Sequence, residues 1–218
     1  MTNNFKYPFK GSDSLSVSDF KSQAGQDLFV LSVLAGKTNG SYLEIGCNVP
    51  ESYNNTFVLA KHFNWNGVSI DFLPELKAQW DEVRPNNKFL FTDALTLDYS
   101  TVINDPIIDY LQVDIEPSTH TFQALKKIPH DKYRFRVITF ETDYYTGGDS
   151  IMVREESRKF LTDLGYTLIV GDVLVAYGGL HPFEDWYVDM NLVDQNIAKS
   201  IQNDAKFTQN PAQLLLNV

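Results

Sequence analysis

The sequence predicts an α/β fold: a doubly wound, Rossmann-like, mostly parallel sheet with helices on both faces and a C-terminal antiparallel hairpin. Three observations lead there. Strand-like and helix-like patterns alternate from Ser41 to Leu164, as chains do when helices cover both faces of a parallel sheet. Ile107–Asp114 is a nearly continuous apolar run, which suits a strand buried on both sides. Finally, Tyr42-Leu43-Glu44-Ile45-Gly46 ends in an acid and a single glycine, and Gly67-Val68-Ser69-Ile70-Asp71 also ends in an acid. Together they read as the first half of a βαβ unit that holds a ligand at its carboxyl edge.

Each element follows from local pattern. Residues 1–20 are polar and serine-rich and read as an N-terminal arm; 21–218 read as one domain. Apolar residues at helical spacing mark a helix from Gln26 to Leu34, closed by Gly36 and Gly40. Ser41–Gly46 is the first strand. Asn54–Phe63 is a helix with Ser52 or Asn54 as its cap. Gly67–Asp71 is the second strand, and Leu73–Val83 a helix with Pro74 in its first turn. Lys88–Phe91, Ile107–Asp114 and Tyr133–Phe140 complete a set of five strands, with a helix at Ser118–Ile128 and another at Ile151–Leu164. Tyr166–Val170 and Val173–Tyr177 are two short strands, and Gly171-Asp172 between them reads as a hairpin turn. From His181 onward the pattern is a loop rich in aromatics and acids, then one weak helix, Leu192–Ile201.

Bulk properties narrow the function classes. The 218 residues are 43% hydrophobic, enough for one compact domain. A net charge of −10 argues against a nucleic-acid partner, whose phosphates call for a basic patch. The basic run from Lys126 to Arg136 reads as a solvated face. The single cysteine, Cys47, cannot form an internal disulfide and fits a reducing compartment. No apolar run is long enough to span a bilayer, and the first residues lack the apolar core of a signal peptide, so the expectation is a cytoplasmic protein with no membrane partner.

The first loop narrows the ligand. Cys47-Asn48-Val49-Pro50-Glu51 supplies neither the further glycines of a dinucleotide fingerprint nor a Lys or Arg for a pyrophosphate. It offers a carboxylate instead. An adenosine without phosphates, carrying positive charge, fits; S-adenosylmethionine is such a molecule. All five strands end in acids: Glu44, Asp71, Asp93, Asp114 with Glu116, and Glu141 with Asp143. Any one of them can cap the next helix. Five together are a costly crowd of like charges unless ribose hydroxyls, an adenine amino group, a cationic ligand or a metal compensates.

These motifs resemble the FkbM family of S-adenosylmethionine-dependent methyltransferases. The resemblance runs in order from Ser22-Gln23-Ala24-Gly25-Gln26-Asp27 through Tyr42–Asn48, Asn55-Thr56, Trp65–Asp71, Asp93-Ala94-Leu95, Asp109–Glu116 and Ile138–Glu141 to Phe183–Asp189. It implies that Glu44 and Gly46 line the methionine end of the cofactor, with Gln26 and Asn48 among its contacts. It further implies that Asp71 takes the ribose hydroxyls, that Asp93 and Ala94 meet the adenine, and that Asp114 and Glu116 sit beneath the methyl group. Pro117 stands where family members often have glycine, and Asp71 where they often have glutamate.

The expected activity is O-methylation of a hydroxyl on a small molecule or glycan sugar. Candidate bases are Asp114, Glu116, Glu141 and His181. Asp114, Glu116 and Glu141 could instead hold a divalent cation (Mg, Mn or Ca), since oxygen-only ligands suit those ions. His120, in the first turn of a helix, reads as structural. The segments Tyr144–Asp149 and His181–Tyr187, Trp186 in particular, are expected to contact the acceptor. Homo-oligomerisation is a further expectation. Two other functions compete: a nicotinamide oxidoreductase, and a non-catalytic assembly protein on the same fold.

Overall fold

The structure is a computed structural model that describes residues 4–176 and 178–217. Seven strands form one sheet: β1 (Ser41–Ile45), β2 (Asn66–Asp71), β3 (Lys88–Phe91), β4 (Ile107–Val113), β5 (Arg134–Glu141), β6 (Thr167–Ala176) and β7 (Leu180–Val188). Their order across the sheet is β3-β2-β1-β4-β5-β7-β6. The first five are parallel, and β7 runs antiparallel to both β5 and β6. The chain winds outward twice from β1, so β1 and β4 flank the point where strand order reverses. Such a point opens a crevice at the carboxyl edge.

Among the described residues seven α-helices accompany the sheet: α1 (Gln26–Val33), α2 (Phe57–Phe63), α3 (Leu76–Val83), α4 (Ser118–Lys127), α5 (Asp149–Asp163), α6 (Gln195–Asp204) and α7 (Pro211–Leu215). Strand alternation divides the core in two. Tyr42, Tyr110, Val137 and Trp186 face one side and pack with α1, α2, α6 and α7. Leu43, Leu111, Ile138 and Tyr187 face the other and pack with α4 and α5. This two-sided burial is why the central strands read as continuous apolar runs. Phe5 and Phe9 are buried in the first of these cores, and Phe5 bridges to Leu216.

The five parallel strands lie where the sequence predicts them, within a residue or so at each end. The C-terminal part differs in three respects. Gly171-Asp172 is not a hairpin turn: β6 runs straight through it, with irregular register against β7. Asp172 sits in the left-handed region (φ 55°) and donates its N–H to Asp185 Oδ1, while its carboxylate pairs with Arg154 and Arg158. These long-range partners turn a local turn signal into a bulge. β6 ends at Ala176 and β7 begins at Leu180; Tyr177, expected to end a strand, lies outside the described residues. The aromatic–acidic stretch expected as a loop is β7 itself. The last expected helix starts later, at α6, where Asp194 accepts the N–H groups of Asn196 and Ile197. Among the described residues no helix is long and apolar enough to cross a membrane.

Candidate functional site

A cleft of about 670 Å³ opens over the carboxyl ends of β1 to β4. That size suits a small-molecule ligand. Gly46, Asp71, Asp93, Ala94, Asp114 and Glu116 all line it, with Asn48 at the loop after β1. The strand-end motifs of four separate segments are thus brought to one wall.

Gly46 is required by the fold at this point. A Cβ there would lie 1.5 Å from the carbonyl oxygen of Asp114, and φ is +78°. The ends of β1 and β4 therefore touch across a bare backbone, tied by Asp114 N–H donating to Ile45 O at 2.9 Å. The glycine admits β4 rather than only a ligand. Asp71 is buried and held by two backbone donors, Asn48 N–H at 2.9 Å and Leu73 N–H at 3.1 Å. It pins the loop after β1 while keeping lone pairs that face the cleft.

Glu44 is 1% exposed and does not line the cleft. It lies beneath, accepting Thr56 Oγ1 at 2.9 Å and Ser69 Oγ at 2.7 Å, with its second oxygen unpartnered. Burial raises its pKa, and the buried Arg84 guanidinium opposes that rise. Arg84 in turn donates to Asn54, Thr56 and Tyr42 and stacks on Trp80. Gln26, in the first turn of α1, is buried and hydrogen-bonds Glu184. Glu141 ends β5 opposite Glu184, buried, with Oε2 unpartnered. His181 is the second residue of β7, its ring 5.3 Å from that of Tyr145.

Trp186 corrects an expectation. It is fully buried, stacked on Phe29 at 4.5 Å, and donates to Glu184. Tyr187 is equally buried on the other face. Neither is available to an acceptor; both are core.

The acids on the β4 side of the cleft form a field of one sign. Asp114 is pushed up to about 8 by desolvation and by Asp143, Glu116, Asp71 and Glu44. Glu184 is likewise pushed up to about 8 by burial, offset in part by Trp186 and Gln26. Asp143 rises to about 6 through burial and the charge of Glu116. The Cys47 thiol is raised by burial, Glu44 and Asp71, which makes it a poor nucleophile. Among the described residues no lysine or arginine lines the cleft; His120 is the only basic side chain there.

Three residues of this region are not among the candidate site residues of the sequence, where His120 reads as structural and Asp143 only as a second acid after the fifth strand. Asn55 lines the cleft, 6% exposed, with Oδ1 unpartnered. Asp143 holds a left-handed backbone (φ 50°) just past β5, 3% exposed, with Oδ1 unpartnered. His120 reaches the cleft from α4. Their signal was position: Asn55 closes the loop after β1, Asp143 follows the acid of β5 by two, and His120 sits in the turn after Glu116.

No three His, Cys, Asp or Glu side chains among the described residues converge as a metal site would require. Asp114 and Glu116 line the cleft, whereas Glu141 does not, so the expected three-carboxylate cation site is not assembled.

No family model matches the chain, and no curated protein is significantly similar to it. Solved structures resemble it in fold. An rRNA methylase from Streptococcus thermophilus superposes at TM-score 0.50 and 15% identity, covering 76% of this chain and 93% of its own. The N-methyltransferase NodS from Bradyrhizobium japonicum gives 0.51 and 17%, covering 76% and 93%. TrmK from M. capricolum, solved with its cofactor product S-adenosyl-homocysteine, gives 0.52 and 11%, covering 80% and 69%. At these identities the likeness establishes a shared Rossmann-like fold. It also corrects the exclusion of nucleic acid: an rRNA methylase has this fold, and the net charge of a whole chain does not describe one face of it.

Proposed function

We propose that this chain binds S-adenosylmethionine in the carboxyl-edge cleft and catalyses transfer of its methyl group to an acceptor oxygen or nitrogen. The observation that carries the reading is the composition of one wall: a fixed ribose-type acceptor at Asp71, a small residue at Ala94, and carboxylates with no lysine or arginine among them. A phosphate-bearing cofactor would meet repulsion there; a sulfonium would not. The unpartnered Asn55 Oδ1 wants a donor, such as the ligand's ammonium group. The resemblance to the FkbM family is part of the same proposal, since most of its expected contact residues share this wall.

Bound there, the sulfonium supplies an activated methyl group. The chain's own residues orient and deprotonate. Asp71 is immobilised by two amides before any ligand arrives, so it can accept ribose hydroxyls at little ordering cost. Asp114 and Glu116, on the cleft wall, can take the proton an acceptor sheds. A carboxyl held near neutrality is suited to that exchange.

Titration calorimetry with S-adenosylmethionine and S-adenosylhomocysteine tests the proposal. Both should bind, and Asp71→Ala should weaken both by about 1.5–3 kcal/mol, the worth of hydrogen bonds to a charged acceptor. Absence of binding to the wild-type protein would reject the function. Unchanged affinity in Asp71→Ala would remove that residue from the ribose site.

A further inference from the structure

Two of the three most exposed large hydrophobic side chains among the described residues stand at this one cleft. Tyr53 is 75% exposed and Phe72 62%, and both line it. Among the described residues neither ring stacks on another ring or on a cation. Tyr53 is also held in the left-handed region (φ 56°), which a bulky side chain seldom enters. The loop around it is fixed from inside the protein. Asn54, the next residue, is buried; its amide donates to Cys47 O at 3.1 Å, and its Oδ1 accepts from Arg84 Nη1 at 2.9 Å and from Thr56 N–H at 3.1 Å. Nearer β1, Asn48 N–H donates to the Asp71 carboxylate at 2.9 Å, and Asn48 O accepts from Trp80 Nε1 at 2.8 Å. Buried neighbours thus impose a strained backbone on a residue whose own ring stays in solvent. Strain that the surroundings impose, and that the ring's own packing does not offset, points to a contact made with a ligand.

We infer that Tyr53 is a preset cap for this cleft: its ring lies over the adenosine part of the cofactor once Asp71 holds the ribose. The inference rests on the cofactor reading above and adds a specificity-determining residue to it. The loop that carries Tyr53 is tied to the Asp71 carboxylate through Asn48 N–H, so the ring is anchored to the ribose site before any ligand arrives. Phe72 follows Asp71 directly and brings a second exposed ring to the same lining. An aromatic face covers a purine by stacking, and a tyrosine has only two side-chain torsions to order when it does so. A ring that starts in solvent also gains from burying its apolar surface on contact. Leu73, Leu95 and Ile115 add apolar surface to the same cleft, which suits a flat base and does nothing for a phosphate.

The test reads affinity and stability in the same variants of the full chain. The probes are S-adenosylhomocysteine and 5′-methylthioadenosine, which keeps the adenosine and lacks the amino-acid end. By calorimetry, Tyr53→Gly should weaken both by about tenfold or more, the scale of one stacked base. Tyr53→Phe should keep both within about twofold, because stacking uses the ring and not the hydroxyl. Glycine suits the left-handed backbone at this position, so the urea midpoint of Tyr53→Gly should be no lower than that of the wild type. Unchanged affinity for both probes in Tyr53→Gly would overturn the inference and leave the cofactor reading standing. A loss confined to S-adenosylhomocysteine, or a wild type that binds that probe alone, would place the recognition at the amino-acid end and overturn it as well. A lower midpoint would make Tyr53 a packing residue instead. If the wild type binds neither probe, the cofactor reading fails and this inference fails with it.

Discussion

Replacing Gly46 by alanine should damage fold and cleft together. The new Cβ would sit 1.5 Å from Asp114 O, 2.6 Å from its carbonyl carbon and 2.7 Å from Ile115 Cγ2. Ordinary non-bonded contacts begin near 3.5 Å, so the end of β4 must retreat by roughly 2 Å. That retreat breaks the hydrogen bond from Asp114 N–H to Ile45 O, a loss of about 0.5–1.5 kcal/mol. Holding an alanine at φ +78° adds about 1–2 kcal/mol. The sum is about 1.5–3.5 kcal/mol before any steric overlap is counted, and it should lower Tm by about 3–14 °C for a chain of this size. Because Asp114 moves with β4, affinity for S-adenosylhomocysteine should fall as well. Urea unfolding and calorimetry on the variant check both effects. A stability within about 0.5 kcal/mol of wild type, with unchanged affinity, would refute the close approach of β1 and β4.

Trp186→Ala should behave as a core deletion, losing about 3–5 kcal/mol in chemical denaturation; a stable variant altered only in acceptor KM would restore its acceptor role. Stability should also depend on pH in a definite direction. Asp114 and Glu184 are held up to about 8 when folded, against about 4 in an unfolded chain, so between those values the folded state binds more protons. The stability is then greatest at the acid end and is lost as pH rises toward about 8. Thermal melts should show Tm falling by about 9–18 °C from about pH 6 to about pH 8, a loss of roughly 4–5 kcal/mol for the two groups together, and Asp114→Asn should remove about half of that fall. A Tm that rises over the same interval would contradict the assignment of these carboxyls.

The parallel half of the fold was legible because its signals are local. Apolar runs, glycines and acids at strand ends are decided within a few residues, and β1 to β5 follow them. The C-terminal half depends on distant partners. Gly171-Asp172 has the local chemistry of a turn, yet Asp185, Arg154 and Arg158 hold it as a bulge inside β6. The acids of β7 suggested solvent, but Asp185 is fully buried against the Arg158 guanidinium, and Glu184 is capped by Gln26 and Trp186. At the site, the sequence could gather Asp71, Asp93, Asp114 and Glu116 because each ends a strand. It could not separate Glu44, which ends a strand and yet faces down into the Thr56–Ser69–Arg84 network rather than into the cleft. Depth beneath a surface has no local signature. Nor does an unmatched oxygen such as that of Asn55, which is recognised only when its whole surroundings are known.

The most direct test of the central claim is a crystal structure of the full chain with S-adenosylhomocysteine. The ribose hydroxyls should bond the Asp71 carboxylate, the adenine should lie beside Asp93 and Ala94, and the sulfur should point toward Asp114 and Glu116. Adenosine bound anywhere else, such as the groove between Lys61 and Arg84 on the far side of α2, would contradict the cofactor site and the chemistry derived from it.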